Sequence, residues 1–228
     1  MSIAAALFDL DGTLVDREPL ITAAVAQVMA DIGASLDEGG AEAWVGRAWP
    51  DLHVGLDIES RTGVAFGSFM EHIATAAERL EGEGYAAAHL PGAVALIERL
   101  SAAGVPLAGV TGSMHGGADP GVTAPGGIEV LEAAEAYAPG QPHPACYLLA
   151  AGRLGVDPAG CVAFEDSEVG LASARAAGMW TIGVAAANPS PSHPAHQDLS
   201  GAHVVVESLV VVTETHLEPW STADGLAS

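Results

Sequence analysis

Short apolar runs of strand length, each giving way to polar residues, alternate along this chain with segments whose apolar residues recur at helical spacing. That alternation narrows the fold more than any other feature. Ile3–Leu10 reads as a buried strand running into Asp9-Leu10-Asp11-Gly12-Thr13, Val105–Val110 as one that ends at Thr111, and Cys161–Phe164 as one that ends at Glu165-Asp166. Shorter strands are predicted over 128–132, 181–184 and 202–206, with helices over 92–103, 144–154 and 171–177, the first of them opened by Pro91. Strand and helix in alternation imply a parallel, doubly wound α/β sheet of Rossmann-like type. Ligands of such sheets sit at the carboxyl ends of the strands, near the point where strand order reverses. Asp9, Thr111 and Asp166 each stand at such an end, which makes them the first candidates for a site.

The alternation is interrupted once. Leu20, Ala24, Val28 and Ile32 have helical spacing, as do stretches around 42–45 and 66–80, and no strand signal appears from about 17 to 88. The expected organisation is a core formed by 1–16 and 89–228, with an all-helical insertion over 17–88. Residues 114–127, crowded with Gly and Pro, make a poor helix, and the stretch after Leu217 is expected to be poorly ordered.

Charge restricts the partners. Lys+Arg is 7 against 29 Asp+Glu, for a formal net charge of -22, and every cation is an arginine: Arg17, Arg47, Arg61, Arg79, Arg99, Arg153 and Arg175. Nucleic acid and anionic membrane both require clustered cations, so neither is expected as a partner. An anionic substrate would have to be drawn in by a bound metal or by a few arginines. The longest apolar runs, 204–212 and 180–187, are strand-sized and far short of the roughly 20 residues of a membrane span. No basic stretch precedes the first apolar residues, and a cytoplasmic protein is expected. Cys146 and Cys161 are expected to be reduced packing residues.

Asp9 and Asp11, two residues apart where a strand breaks into a loop, repel one another unless something stabilises them. A hard divalent cation such as magnesium, which prefers oxygen ligands, is the natural partner. One carboxylate could then attack phosphorus while the other moves protons. The competing account is a capped turn in which Asp and Gly serve the backbone alone.

With these residues in place, Phe8-Asp9-Leu10-Asp11-Gly12-Thr13-Leu14-Val15-Asp16 resembles the first motif of the haloacid dehalogenase-like hydrolases. Val110-Thr111-Gly112-Ser113 resembles their second motif, and Phe164-Glu165-Asp166-Ser167-Glu168-Val169-Gly170 their acidic fourth, with Ala174-Arg175-Ala176-Ala177-Gly178-Met179 continuing the match. The motifs follow in the family's order across nearly the whole chain, closest to the β-phosphoglucomutase-like phosphatase branch with a helical cap. By that resemblance Asp9 is the nucleophile and Asp11 the proton donor and acceptor. The same resemblance implies magnesium held by Asp9, the Asp11 carbonyl and Asp166 with Glu165 in support, and phosphoryl oxygens bound by Thr111 and the Gly112 amide. Asp11 favours phosphate esters over carbon–halogen bonds, whose cleavage needs no proton donor there.

One departure bears on activity. The family's third motif is a lysine followed by Pro, a small residue and Pro, and the matching stretch is Gly140-Gln141-Pro142-His143-Pro144. Gln141 can donate a hydrogen bond but cannot neutralise charge, and one well-placed electrostatic contact is worth about 100- to 1,000-fold in rate. Three readings stand: Arg17 replaces the lysine, protonated His143 does so, or the protein is a weakened or non-catalytic relative that binds a phosphorylated ligand. Arg47, in Trp44-Val45-Gly46-Arg47, lies where similar caps present a substrate-contacting loop. The histidines show no spacing of a zinc site. The expected function is magnesium-dependent hydrolysis of a small phosphate monoester, with sugar phosphates among the candidates and Gln141, Thr111, Gly112, Arg17 and Arg47 at the substrate. A phosphomutase is the lesser alternative, because similar mutases carry a histidine in the first cap helix and Leu20–Ala30 has none.

Overall fold

The computed structural model describes residues 3–34, 53–85, 87–111, 127–128, 130–132, 140–193 and 196–217. Six parallel strands form one sheet: β1 (Ala5–Asp9), β4 (Leu107–Val110), β5 (Val130–Glu132), β6 (Cys161–Glu165), β7 (Trp180–Val184) and β8 (Val204–Val206), in the order β5-β4-β1-β6-β7-β8. β1 is central. The chain winds outward from it through β4 and β5 on one side and through β6, β7 and β8 on the other, so strand order reverses beside β1. This is the doubly wound topology that the alternation predicts. A two-stranded sheet joins β2 (Val15–Asp16) to β3 (Ala88–His89), the short strand falling at the end of a stretch read as wholly helical.

The chain divides into two compact units, Met1–Asp16, His89–Asn188 and Gln197–Ser228 in one, Arg17–Ala88 and Pro189–His196 in the other. In the second unit α1 (Glu18–Asp31), started by Pro19, and α3 (Phe66–Gly82) bury complementary stripes. Leu20, Ala24, Val28 and Met29 of α1 join Phe69, Ile73, Ala76 and Ala77 of α3 in one apolar cluster, with Ile58 of the short helix α2 (Ile58–Thr62). Recurrence at three and four residues places each stripe on a single helix face.

In the first unit the strands of the sheet's centre are buried throughout and apolar up to the acidic residues that end β1 and β6, as parallel strands covered on both faces must be. The helices here are α4 (Ala93–Ala102), α5 (Ala145–Leu154) and α6 (Glu168–Ala176), followed by α7 (Glu214–Leu217). One core cluster gathers Ala5, Leu7, Ala108, Val110, Cys161 and Ala163 from the sheet with Cys146, Tyr147, Ala150 and Ala151 of α5 and Ala174 of α6. Small residues on both sides allow close approach of helix and sheet, and Tyr147 is the largest side chain among them. Both cysteines are buried free thiols.

Element ends differ from the sequence reading where local caps intervene. α6 begins at Glu168, three residues before the predicted start, because the Ser167 hydroxyl accepts a hydrogen bond from the Gly170 amide at 3.1 Å and caps the helix. The apolar run 204–212 is divided between β8 and a 3₁₀ turn at Leu209–Val211. Among the described residues no helix is long and apolar enough to cross a membrane. The expected helix around 42–45, the Gly/Pro-rich 114–126 and the stretch after Leu217 lie outside the described residues.

Candidate active site

Parallel registration decides which side chains meet. Ala5 lies opposite Cys161 and Leu7 opposite Ala163, so two residues further on Asp9 comes level with Glu165 at the carboxyl end of the sheet. On the alternate face Phe8 stacks on Phe164, ring centroids 4.6 Å apart and planes within 6° of parallel, which pins that register. Asp9 shares its strand face with Ala5 and Leu7, and Glu165 with Cys161 and Ala163, the face covered by α5. Asp166 follows directly, and carboxylate oxygens of Asp9, Glu165 and Asp166 all lie within 4.8 Å of one another.

Two glycines make room for this cluster. Gly12 has φ +89° in the loop after β1, and a Cβ there would sit 2.0 Å from Asp166 Oδ2. The loop is closed by hydrogen bonds from the Gly12 amide to Val15 O and from the Leu14 and Val15 amides to Leu10 O. At Gly170, in the first turn of α6, a Cβ would lie 1.9 Å from Glu165 Oε1. Gly12→Ala is therefore expected to lose at least about 1 kcal/mol from backbone strain alone and to displace the Asp166 carboxylate. Urea unfolding and magnesium titration of that variant measure the two effects separately.

The electrostatics are those of a crowded acidic cluster that a cation would stabilise. Asp9 is 8% exposed, and its Oδ2 has no hydrogen-bond partner among the described residues, as is true of the wholly buried Thr13 hydroxyl. Burial raises the Asp9 carboxyl well above its usual range, and the charges of Glu165, Asp166 and Asp11 push it further; a backbone hydrogen bond from Leu10 opposes them. Asp166 is pushed up to about 8, first by burial and then by Glu165. Glu165 is raised by burial, against the hydrogen bonds it accepts from Tyr147 and Ser167. Crowded, buried carboxylate oxygens suit a hard divalent ion with oxygen ligands, and magnesium fits that donor set. Asp9 and Asp166 have the oxygens to hold it, whereas both oxygens of Glu165 are engaged within the chain.

Glu165 is held from two directions. Tyr147 Oη donates to its Oε1 at 2.7 Å and Gln141 Nε2 to the same oxygen at 3.4 Å; the Ser167 amide and hydroxyl donate to Oε2 at 3.3 and 3.0 Å. The frame around Gln141 is anchored by the Ser173 hydroxyl, which donates to His143 O at 2.8 Å. Tyr147 was not among the sequence candidates. The signal was one polar-tipped aromatic on the buried face of a helix otherwise lined with alanine and cysteine there, six residues after Gln141.

The other candidates are placed as follows. Asp11 sits in the loop after β1 and bridges to Val15, and Thr111 is buried immediately beyond β4. Arg17 occupies the position just before α1 without capping it through its side chain, is 6% exposed, and donates through Nη2 to Glu81 Oε1 of α3 at 3.2 Å. His143 is exposed. Gly112 and Arg47 lie outside the described residues.

With this geometry in hand, comparison with known proteins gives a consistent result. The haloacid dehalogenase-like hydrolase family matches residues 3–178. The chain is 37% identical to Hexitol phosphatase A of Escherichia coli over 217 residues, covering 92% of this chain and 93% of that protein. It is 32% identical to a plasmid-encoded phosphoglycolate phosphatase of Cupriavidus necator, over 94% and 95% of the two chains. Among solved structures, CbbY from Rhodobacter sphaeroides in complex with phosphate superposes with a TM-score of 0.75 at 26% identity, covering 95% of this chain and 99% of that one.

Proposed function

The chain belongs to the haloacid dehalogenase-like hydrolases, and from that premise we propose that it is a magnesium-dependent phosphatase acting on a small phosphorylated metabolite, of the sugar-phosphate class. The observation that carries this reading is Asp9: a buried carboxylate with an unsatisfied oxygen, at the point of strand reversal, facing Asp166. The phosphatase names of the relatives point the same way.

In the first step an Asp9 oxygen attacks phosphorus and forms an aspartyl-phosphate. The phosphorus–oxygen ester bond breaks, and Asp11 gives its proton to the departing alcohol. Asp11, now a base, then takes a proton from water, whose oxygen attacks phosphorus and releases Asp9 and inorganic phosphate. In this reading Thr111, immediately beyond β4, binds a phosphoryl oxygen. Bound magnesium would supply charge neutralisation, the main demand of phosphoryl transfer. Arg17 and Arg47 remain the cations assigned to the substrate side, with Gly112 contributing its amide. The partner is a small molecule, and the cytoplasm is the compartment where such metabolites are processed.

Beryllium fluoride, which mimics an aspartyl-phosphate, is expected on Asp9; its appearance on another residue refutes the assignment. A phosphate-ester panel assayed with magnesium and with chelator gives the substrate class. Binding of phosphorylated ligands without turnover on the panel would favour the non-catalytic alternative.

Magnesium at 100 times its Kd is expected to stabilise the fold by about 2.7 kcal/mol, or about 5–11 °C in Tm for a chain of this size. The pH dependence has a definite sign. Asp166 is raised from an unfolded value of about 3.9 to about 8 in the metal-free fold. The folded state therefore binds the proton more tightly, and this group's contribution is full below about pH 4 and is lost as pH rises to about 8. Magnesium displaces that proton, so its affinity should increase over the same window. Calorimetry at several pH values tests this, and Asp166→Asn should abolish both the magnesium stabilisation and its pH dependence.

A further inference from the structure

Glu165 is the member of the acidic cluster with the most internal partners, and they include no lysine or arginine among the described residues. Two neutral donors converge on Oε1, the phenol of Tyr147 at 2.7 Å and the amide of Gln141 at 3.4 Å. Ser167 holds Oε2 through its amide and hydroxyl, and the missing Cβ of Gly170 leaves the space the carboxylate fills. Tyr147 itself is wholly buried on α5, with its ring in the apolar cluster and its hydroxyl at the carboxylate. A buried hydroxyl makes such a bond only if helix and strand are held in fixed register, and the small residues of α5 and the sheet provide that close packing.

We propose that Tyr147 is a positioning residue for the metal centre: by occupying Oε1, with Gln141, it turns Glu165 into an outer carboxylate and leaves Asp9 and Asp166 to face the cation. The inference rests on the magnesium reading above. Its physical basis is that a carboxylate committed to several donors is fixed, whereas one released on a single side can turn and disturb the arrangement of the Asp9 and Asp166 oxygens that face the cation. Groups that orient a metal's surroundings in this way typically change affinity by about 10- to 100-fold when removed. Tyr147→Phe deletes the hydroxyl and keeps the ring, so the packing of α5 is retained.

The experiment is a double-mutant cycle on magnesium affinity, read by calorimetry in the wild type, Tyr147→Phe, Glu165→Gln and the double variant. Tyr147→Phe is expected to weaken magnesium binding by about 10-fold or more in the wild-type background. In the Glu165→Gln background the same change should have less than about a 2-fold effect, because the carboxylate through which Tyr147 acts is gone. With magnesium saturating, KM for the phosphate ester should be unchanged in Tyr147→Phe. A structural role alone lowers Tm without magnesium and leaves the affinity where it was. Equal weakening in both backgrounds, or an unchanged affinity in Tyr147→Phe, overturns the positioning role while leaving the metal reading intact. A wild type that does not bind magnesium overturns both.

Discussion

Asp9→Asn is expected to lower turnover by on the order of 10⁴-fold or more, because the proposed mechanism forms its covalent intermediate on this group and the positioning around it cannot make one. The same substitution should make the metal-free protein more stable. Asp9 is buried beside Glu165, Asp166 and Asp11, and each of these charges adds to the cost of its ionised form. A neutral amide of the same shape removes that repulsion, and a gain of about 1 kcal/mol would appear as about 2–4 °C in Tm. Single-turnover assays and melting in chelator measure the two halves. Opposite signs for activity and stability are the mark of a charge retained for chemistry at the expense of the fold. A loss of both would identify Asp9 as a structural residue of the turn.

Where no other cation reaches the phosphoryl group, Gln141→Lys is expected to raise kcat/KM by about 100- to 1,000-fold. Gln141 already points its amide at Glu165 Oε1, 3.4 Å away, so a longer side chain with an ammonium would bring full positive charge into a cluster of carboxylates. Charge buried with opposite partners at short range is worth far more than the same charge in water. The prediction also separates the accounts of the missing lysine. If Arg17 supplies the cation, Gln141→Lys gains little in the wild type, while Arg17→Ala loses about 100-fold or more, at least roughly 2.7 kcal/mol of transition-state stabilisation. Arg17 has a competing commitment, since its guanidinium donates to Glu81 at 3.2 Å in the second unit and is nearly buried there. Arg17→Ala therefore has to be read as kcat/KM beside Tm, because a loss confined to stability would assign Arg17 to the α1–α3 packing.

Much of the architecture is local information and could be read from the chain directly. A strand buried on both faces must be an apolar run, a helix packed on one side must repeat its apolar residues at three and four, and strands linked by helices must run parallel. Those rules place Asp9, Thr111 and Asp166 at strand ends, and with parallel strands the ends lie on one edge of the sheet. The extent of each element was less legible, since capping by Ser167 and division of the run 204–212 depend on contacts that hydrophobic periodicity does not encode. The surroundings of the acidic cluster belong to tertiary structure alone. That Gly170 must lack a Cβ because Glu165 fills the space, that a tyrosine on α5 reaches a carboxylate on β6, and that Arg17 meets Glu81 across a helix pair are all consequences of packing. Residues 18 to 64 positions apart in sequence become neighbours only when register, helix approach and loop closure are set together, and no local pattern carries that distance.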